Sequence, residues 1–137
     1  MITEKIKKIA SVVMTVAIIC TTPTVAFAAN KTIHIPRLGA GYKKLAETRT
    51  GKYGNVRAIC HSAWKNDEPS KVVKAIRFDL KNTKDVSMFV SPISLIVGNE
   101  AGTYSIEESM MIYKNVNFCF CTIGGYSADT NVGYNPR

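Results

Sequence analysis

Histidine is almost missing from this chain: His34 and His61 are the two present in 137 residues. Imidazole is the usual general base near neutral pH, so acid–base and nucleophilic catalysis have few places to start. No Ser-centred elbow, phosphate-binding glycine loop, His-Glu-x-x-His helix or EF-hand loop occurs. Gly39-Ala40-Gly41 is glycine-rich, but no strand–helix context surrounds it. The paired acids Asp67-Glu68 and Glu107-Glu108 fall in turn-like stretches, where solvated surface is the expectation rather than a glycosidase cleft. Repeats and low-complexity tracts are missing, which excludes fibrous and disordered classes. The length excludes two-domain enzymes and large barrels, leaving room for one domain.

Long apolar runs are scarce too. The one run, Ile9 to Cys20, falls short of the roughly 20 residues a spanning helix needs. Lys5, Lys7 and Lys8 precede it, Pro23 breaks it, and Ala26-Phe27-Ala28 supplies small residues at the −3 and −1 positions of a cleavage site. Residues 1–28 therefore read as a secretory signal. The expectation is a secreted, extracellular protein beginning at Ala29 and released without a wall anchor.

Acid is in short supply, and unevenly so. The chain holds 18 Lys and Arg against 10 Asp and Glu, a net charge of +8. Residues 29–84 carry 13 basic and 4 acidic side chains, whereas residues 85–137 carry 2 basic and 5 acidic ones. A basic half on an exported protein favours anionic cell-envelope polymers or lipid headgroups. Nucleic acid is not expected as a partner outside the cell. Tyr42, Lys43, Lys44, Lys52, Tyr53 and Arg57 interleave cations with aromatic rings in this half. They are the expected binding surface, with the two tyrosines as interfacial anchors.

What is present after residue 28 is strand periodicity. Residues 29–50 read as an irregular segment punctuated by Pro36, Gly39 and Gly41. From Tyr53 to Trp64 the period is two, placing Val56, Ala58, Cys60, Ser62 and Trp64 on one face. Asn66-Asp67-Glu68-Pro69-Ser70 is a turn, and Lys71 to Lys81 alternates again with Ile76, Phe78 and Leu80 inward. The two runs predict a β-hairpin. Pro92 assigns the next stretch to an edge strand or a bend. In the run from Tyr104 to Ile112, Glu108 breaks the apolar parity, so a late or bulged strand is expected, with a short helix competing over residues 101–111. Phe118 to Ile123 is apolar on both faces, as a central strand would be. From Tyr126 onward the chain reads as a polar tail. The expected fold is all-β: a small antiparallel β-sandwich or barrel-like domain over residues 51–137.

Cys60, Cys119 and Cys121 remain once Cys20 leaves with the signal. An odd count outside the cell predicts one disulfide, Cys60–Cys119 or Cys60–Cys121, and one spare cysteine that is either buried or joins two chains as a homodimer. Such a bridge would close about 60 residues and contribute about 3–4 kcal/mol in the chain-entropy account. A zinc set would need these three with His34 or His61. Cys-x-Cys is not the usual zinc knuckle, so no metal and no other cofactor is expected. A Cys–His nucleophilic pair is the remaining catalytic arrangement. Cys60 and His61 are neighbours on a strand and would face opposite ways, which leaves Cys119 or Cys121 with His34 or His61 across the sheet; the expectation is no enzyme activity.

The signal end Ala26-Phe27-Ala28, the basic first half rich in Tyr, Thr and Gly, the short alternating strands and the stretch Gly125-Tyr126-Ser127-Ala128-Asp129-Thr130 resemble the small secreted all-β proteins of Gram-positive bacteria. Among these are the lactococcin-type β-sandwich bacteriocins and similar exported proteins of unknown function. The resemblance covers organisation across residues 29–137, and the three cysteines depart from the cysteine-poor lactococcin pattern. It implies a non-enzymatic, bacteriocin-like antimicrobial protein that binds the envelope of competing Gram-positive bacteria. The alternative is a secreted module that binds cell-wall or host surface ligands without killing.

Overall fold

A computed structural model describes residues 29–68 and 70–137. The expected signal, residues 1–28, lies outside the described residues. Eight strands occur among the described residues: β1 (Ala29–Ile35), β2 (Lys43–Thr48), β3 (Asn55–Lys65), β4 (Ala75–Asn82), β5 (Ile93–Ile96), β6 (Gly102–Ser105), β7 (Asn115–Thr122) and β8 (Ala128–Asn135). They form two four-stranded antiparallel sheets, β1-β8-β3-β6 and β2-β7-β4-β5. The fold is the expected all-β sandwich.

The chain changes sheet at almost every connection, and only β4 and β5 are consecutive partners. This overturns the predicted hairpin of β3 with β4. The turn after Lys65 carries the chain from one sheet to the other, leaving a single bridge between Trp64 and Val72. Both inner faces must be covered, and crossing between sheets covers them with adjacent segments of chain.

Phe78 of β4 is the centre of the core. Its ring stacks on Phe118 at 5.8 Å and Phe120 at 5.3 Å, and meets Phe89 and Tyr104 edge-on at 5.4 and 5.8 Å. Tyr104 comes from the other sheet, so these rings join the two layers. Ile76, Phe78 and Leu80 point inward as the period predicted. β7 is an internal strand, flanked by β2 and β4, as its two apolar faces predicted.

Three local expectations change. Residues 29–50 contain β1 and β2 rather than an irregular segment. Both are edge strands whose inward positions, such as Ile33, Ile35 and Leu45, alternate with polar ones. The polar tail contains β8, which pairs on both sides. Its inward residues, Ala128, Thr130, Val132 and Tyr134, are small or carry one hydroxyl, which hides the alternation. Within β3 the register shifts between Cys60 and Ser62, with His61 as the extra residue. The bulge reverses the faces beyond it: Ala63 is buried and Trp64 is 40% exposed.

The edge strand expected after Pro92 is present, whereas the strand expected to start late in the run from Tyr104 to Ile112 is not. Pro92 precedes β5, a short edge strand. β6 stops at Ser105, and a single 3-10 turn spans Glu108–Met110.

Candidate functional site

The expected basic–aromatic surface divides into two groups. β2 runs between them, a length of about 17 Å for its six residues. Tyr42, Lys43 and Lys44 lie at its start. Lys52 and Tyr53 lie beyond its end, and Arg57 lies on the outer face of β3 opposite Asn135.

The end holding Lys52 and Tyr53 is built around Arg49. This side chain is buried, yet among the described residues no carboxylate meets it. Its guanidinium donates instead to three backbone carbonyls: Tyr53 at 2.6 Å, Tyr113 at 3.0 Å and Met111 at 3.4 Å. The Arg49 backbone N–H donates to Lys114 O at 2.8 Å. Burial pulls the Arg49 pKa below its ordinary value. The fork geometry suits the task, because one planar group can clamp two loops at once. Residues 50–54 and 111–114 are thereby fixed against each other. Gly51 has φ +75 and packs under the Lys114 side chain, 3.2 Å from where a Cβ would stand.

The clamped loops present cations and apolar groups together. The Tyr53 ring has the Arg137 guanidinium 4.2 Å from its centroid on one approach and Lys52 Nζ at 5.7 Å. Ile112 is 77% exposed, and Tyr53 and Met111 are about 40% exposed beside it. Lys114 completes the cluster and is exposed. Of this cluster, Lys52 and Tyr53 belong to the surface expected from the sequence, and Met111, Ile112, Lys114 and Arg137 do not. Met111 and Ile112 lie in a run read as strand, and Arg137 reaches the site only through the pairing of β8.

In the other group Lys44 lies on the outer face of the second sheet, in register with Cys119, while Lys43 has the opposite parity. Lys44 Nζ meets Asp85 Oδ1 at 2.8 Å, and Lys81 approaches the same oxygen at 3.6 Å. Lys81 Nζ also stands 4.9 Å from the Tyr42 ring centroid. Asp85 has φ 63, in the left-handed region, which aspartate tolerates better than most residues. The turn is held by Asn82 Oδ1, which accepts from the N–H groups of Lys84 and Val86, both at 3.0 Å. Lys43 takes the register position opposite Phe120, at the exposed edge. Lys44 and Lys81 are thus both engaged with the Asp85 carboxylate.

The predicted disulfide is not formed. Cys60, Cys119 and Cys121 are all buried free thiols. Cys60 faces the core from the first sheet. Cys119 and Cys121 lie on the outer face of β7, opposite in parity to Phe118 and Phe120, so a sheet separates them from Cys60. Burial pushes the Cys60 thiol up to about 11 and the Cys119 thiol to about 12. Among the described residues neither histidine meets a thiol. His34 Nδ1 is 3.0 Å from Asp129 Oδ1, and His61 Nε2 is 3.4 Å from Asn30 Oδ1, both on the outer face of the first sheet. The same separation disperses the zinc set.

A cleft of about 340 Å³ opens beside the ends of β2 and β7, lined by Glu47, Thr48, Thr83, Asn115 and Asn117 among others. Its lining holds one carboxylate, two threonine hydroxyls and neither histidine nor cysteine. Among the described residues no helix is long and apolar enough to cross a membrane. Comparison with known protein families, curated proteins and solved structures returns no match to this chain.

Proposed function

We propose that this chain is a secreted, non-enzymatic protein that docks on phosphate-bearing anionic surfaces of the bacterial envelope. Its role is bacteriocin-like antagonism of competing Gram-positive cells. One observation carries the docking: Lys52 and Arg137 stand against the exposed Tyr53 ring, and Arg49 clamps the Tyr53 loop to the loop that exposes Met111, Ile112 and Lys114. Cations attract the anionic layer, while the aromatic and aliphatic groups enter its boundary. Fixed loops lose little conformational freedom on docking. The separation of thiols from histidines supports a non-enzymatic reading. The antagonist role follows the resemblance of the sequence to lactococcin-type bacteriocins.

The test measures cosedimentation with phosphatidylglycerol vesicles, phosphatidylcholine vesicles and isolated teichoic acid, alongside growth of a Gram-positive panel. Binding to the anionic samples that fades with salt is expected, together with growth inhibition. Binding without growth loss would remove the antagonism and leave a docking module. Equal binding to neutral and anionic vesicles would overturn the electrostatic mechanism.

A further inference from the structure

On the outer face of the first sheet, the end around Trp64 has a composition unlike the rest of this basic chain. Register aligns its outward side chains in rows across β1, β8 and β3. One row is His34, Asp129 and Trp64. The next is Thr32, Asn131 and Ser62. Neither row contains a lysine, an arginine or a glutamate. The bulge at His61 is what turns Trp64 outward into the first row, where it is 40% exposed. Val72, bridged to Trp64, extends that row with a side chain that is 67% exposed.

The polar groups are held by one another. His34 Nδ1 lies 3.0 Å from Asp129 Oδ1. The Asn66 amide, turned with its nitrogen toward Asp129, donates to Oδ2 at 2.7 Å. Asn131 Nδ2 approaches Thr32 Oγ1 at 3.5 Å. An aromatic plate and an aliphatic neighbour thus lie beside an array of amide, hydroxyl, imidazole and carboxylate groups. The row spans about 10 Å across three strands.

We propose that this face binds a neutral saccharide chain, with ring C–H groups against Trp64 and Val72 and sugar hydroxyls bonded to Asp129 and Asn131. A sugar ring offers an apolar face and a rim of hydroxyls, and this row offers the complement of both. A phosphate polymer fits poorly, because no cation in these rows would meet it and Asp129 would repel it. A protein partner would need a continuous apolar centre, which alternating Asn, Thr and Ser do not supply. The site is separate from the Tyr53 end and does not depend on it.

Trp64 is the single tryptophan, so intrinsic fluorescence reports this face directly. The purified protein is titrated with N-acetylglucosamine tetramer and with cellotetraose, and binding is followed by fluorescence and calorimetry. A saturable emission change that is insensitive to salt is expected with at least one of them. Asn131→Ala should weaken it by about tenfold, and Trp64→Ala should abolish the calorimetric signal, with circular dichroism confirming the fold. Lys52→Gln with Arg137→Gln should leave it unchanged. No emission change and no heat from folded protein with either oligosaccharide would overturn the proposal, as would binding that survives Trp64→Ala.

Discussion

Tyr134 of β8 donates its hydroxyl proton across the sandwich to Glu47 of β2, at 2.9 Å. The two residues belong to different sheets, and β2 is an edge strand. The same ring packs at 4.6 Å from Phe118. The bond therefore ties an edge to the middle of the opposite layer. Tyr134→Phe keeps the ring and removes the donor, leaving Glu47 without this partner. The expected loss is about 1–2 kcal/mol, read as a fall in Tm of about 4–8 °C or more. Thermal unfolding of the two proteins checks it; an unchanged Tm would show that the bond contributes nothing net.

Arg49 should matter more. Its replacement by Met retains the aliphatic volume and strips hydrogen bonds from the Tyr53, Tyr113 and Met111 carbonyls. A loss of about 3 kcal/mol is expected, because buried carbonyls lose a charged donor. Arg49→Lys should recover only part, since an ammonium lacks the planar fork. Urea unfolding gives the stability. Limited proteolysis gives the local effect, with faster cutting in residues 50–54 of the Met variant.

The sandwich was legible because strand period survives in short windows. Val56-x-Ala58-x-Cys60 and Ile76-x-Phe78-x-Leu80 announce an inward face without knowledge of any partner. Partners were not legible. Adjacent runs suggested a hairpin, whereas packing two sheets required β3 and β4 to separate. The bulge at His61 inserts one residue with no compositional mark, so Trp64 was assigned to the wrong face. Thr130 inside β8 disguised an internal strand as a tail. The cysteines misled for a related reason. Their parity on β7 was read correctly, but which sheet lies between them and Cys60 is a property of topology. Lys52 and Tyr53 could be grouped from the sequence because they are neighbours in it. Arg137 and Ile112 join them only through the register of β8 and the Arg49 clamp.

The cations at the Tyr53 end should act together. Replacing Lys52, Lys114 and Arg137 by Gln is expected to weaken binding to phosphatidylglycerol vesicles by roughly a hundredfold at low salt. The same changes at Lys44 and Lys81 should cost far less, because Asp85 already holds both. Vesicle titrations of the two variants compare the ends directly. Equal losses would place the docking surface on the wrong face.

The Lys44–Asp85–Lys81 bridge lies above the Cys119 position in the register of β2, β7 and β4. Asp85→Ala should release both lysines and open the path to that thiol. Alkylation of Cys119 is expected to accelerate by about tenfold, through local opening rather than global unfolding. Cys60, on the core side of the other sheet, serves as the internal reference. Mass spectrometry of peptides after timed labelling distinguishes them. Parallel acceleration at Cys60 would mean that the variant had loosened the whole sandwich.

The buried thiols also set a direction for alkaline stability. Cys60 moves from an ordinary 9.0 to about 11 and Cys119 from 9.0 to about 12, both because burial disfavours the thiolate. Between pH 9 and 11 the unfolded chain therefore loses these protons while the folded chain keeps them. The folded state binds more protons in that window, so unfolding free energy must fall as pH rises. Each thiol contributes at most about 1.4 kcal/mol per pH unit. Burial raises the Tyr104 and Tyr134 hydroxyls in the same sense, so they steepen the decline at its upper end. Urea midpoints measured at successive pH values should fall through this window. Cys60→Ala should lower the starting stability yet flatten the slope, whereas a parallel curve would remove Cys60 as a source of the decline.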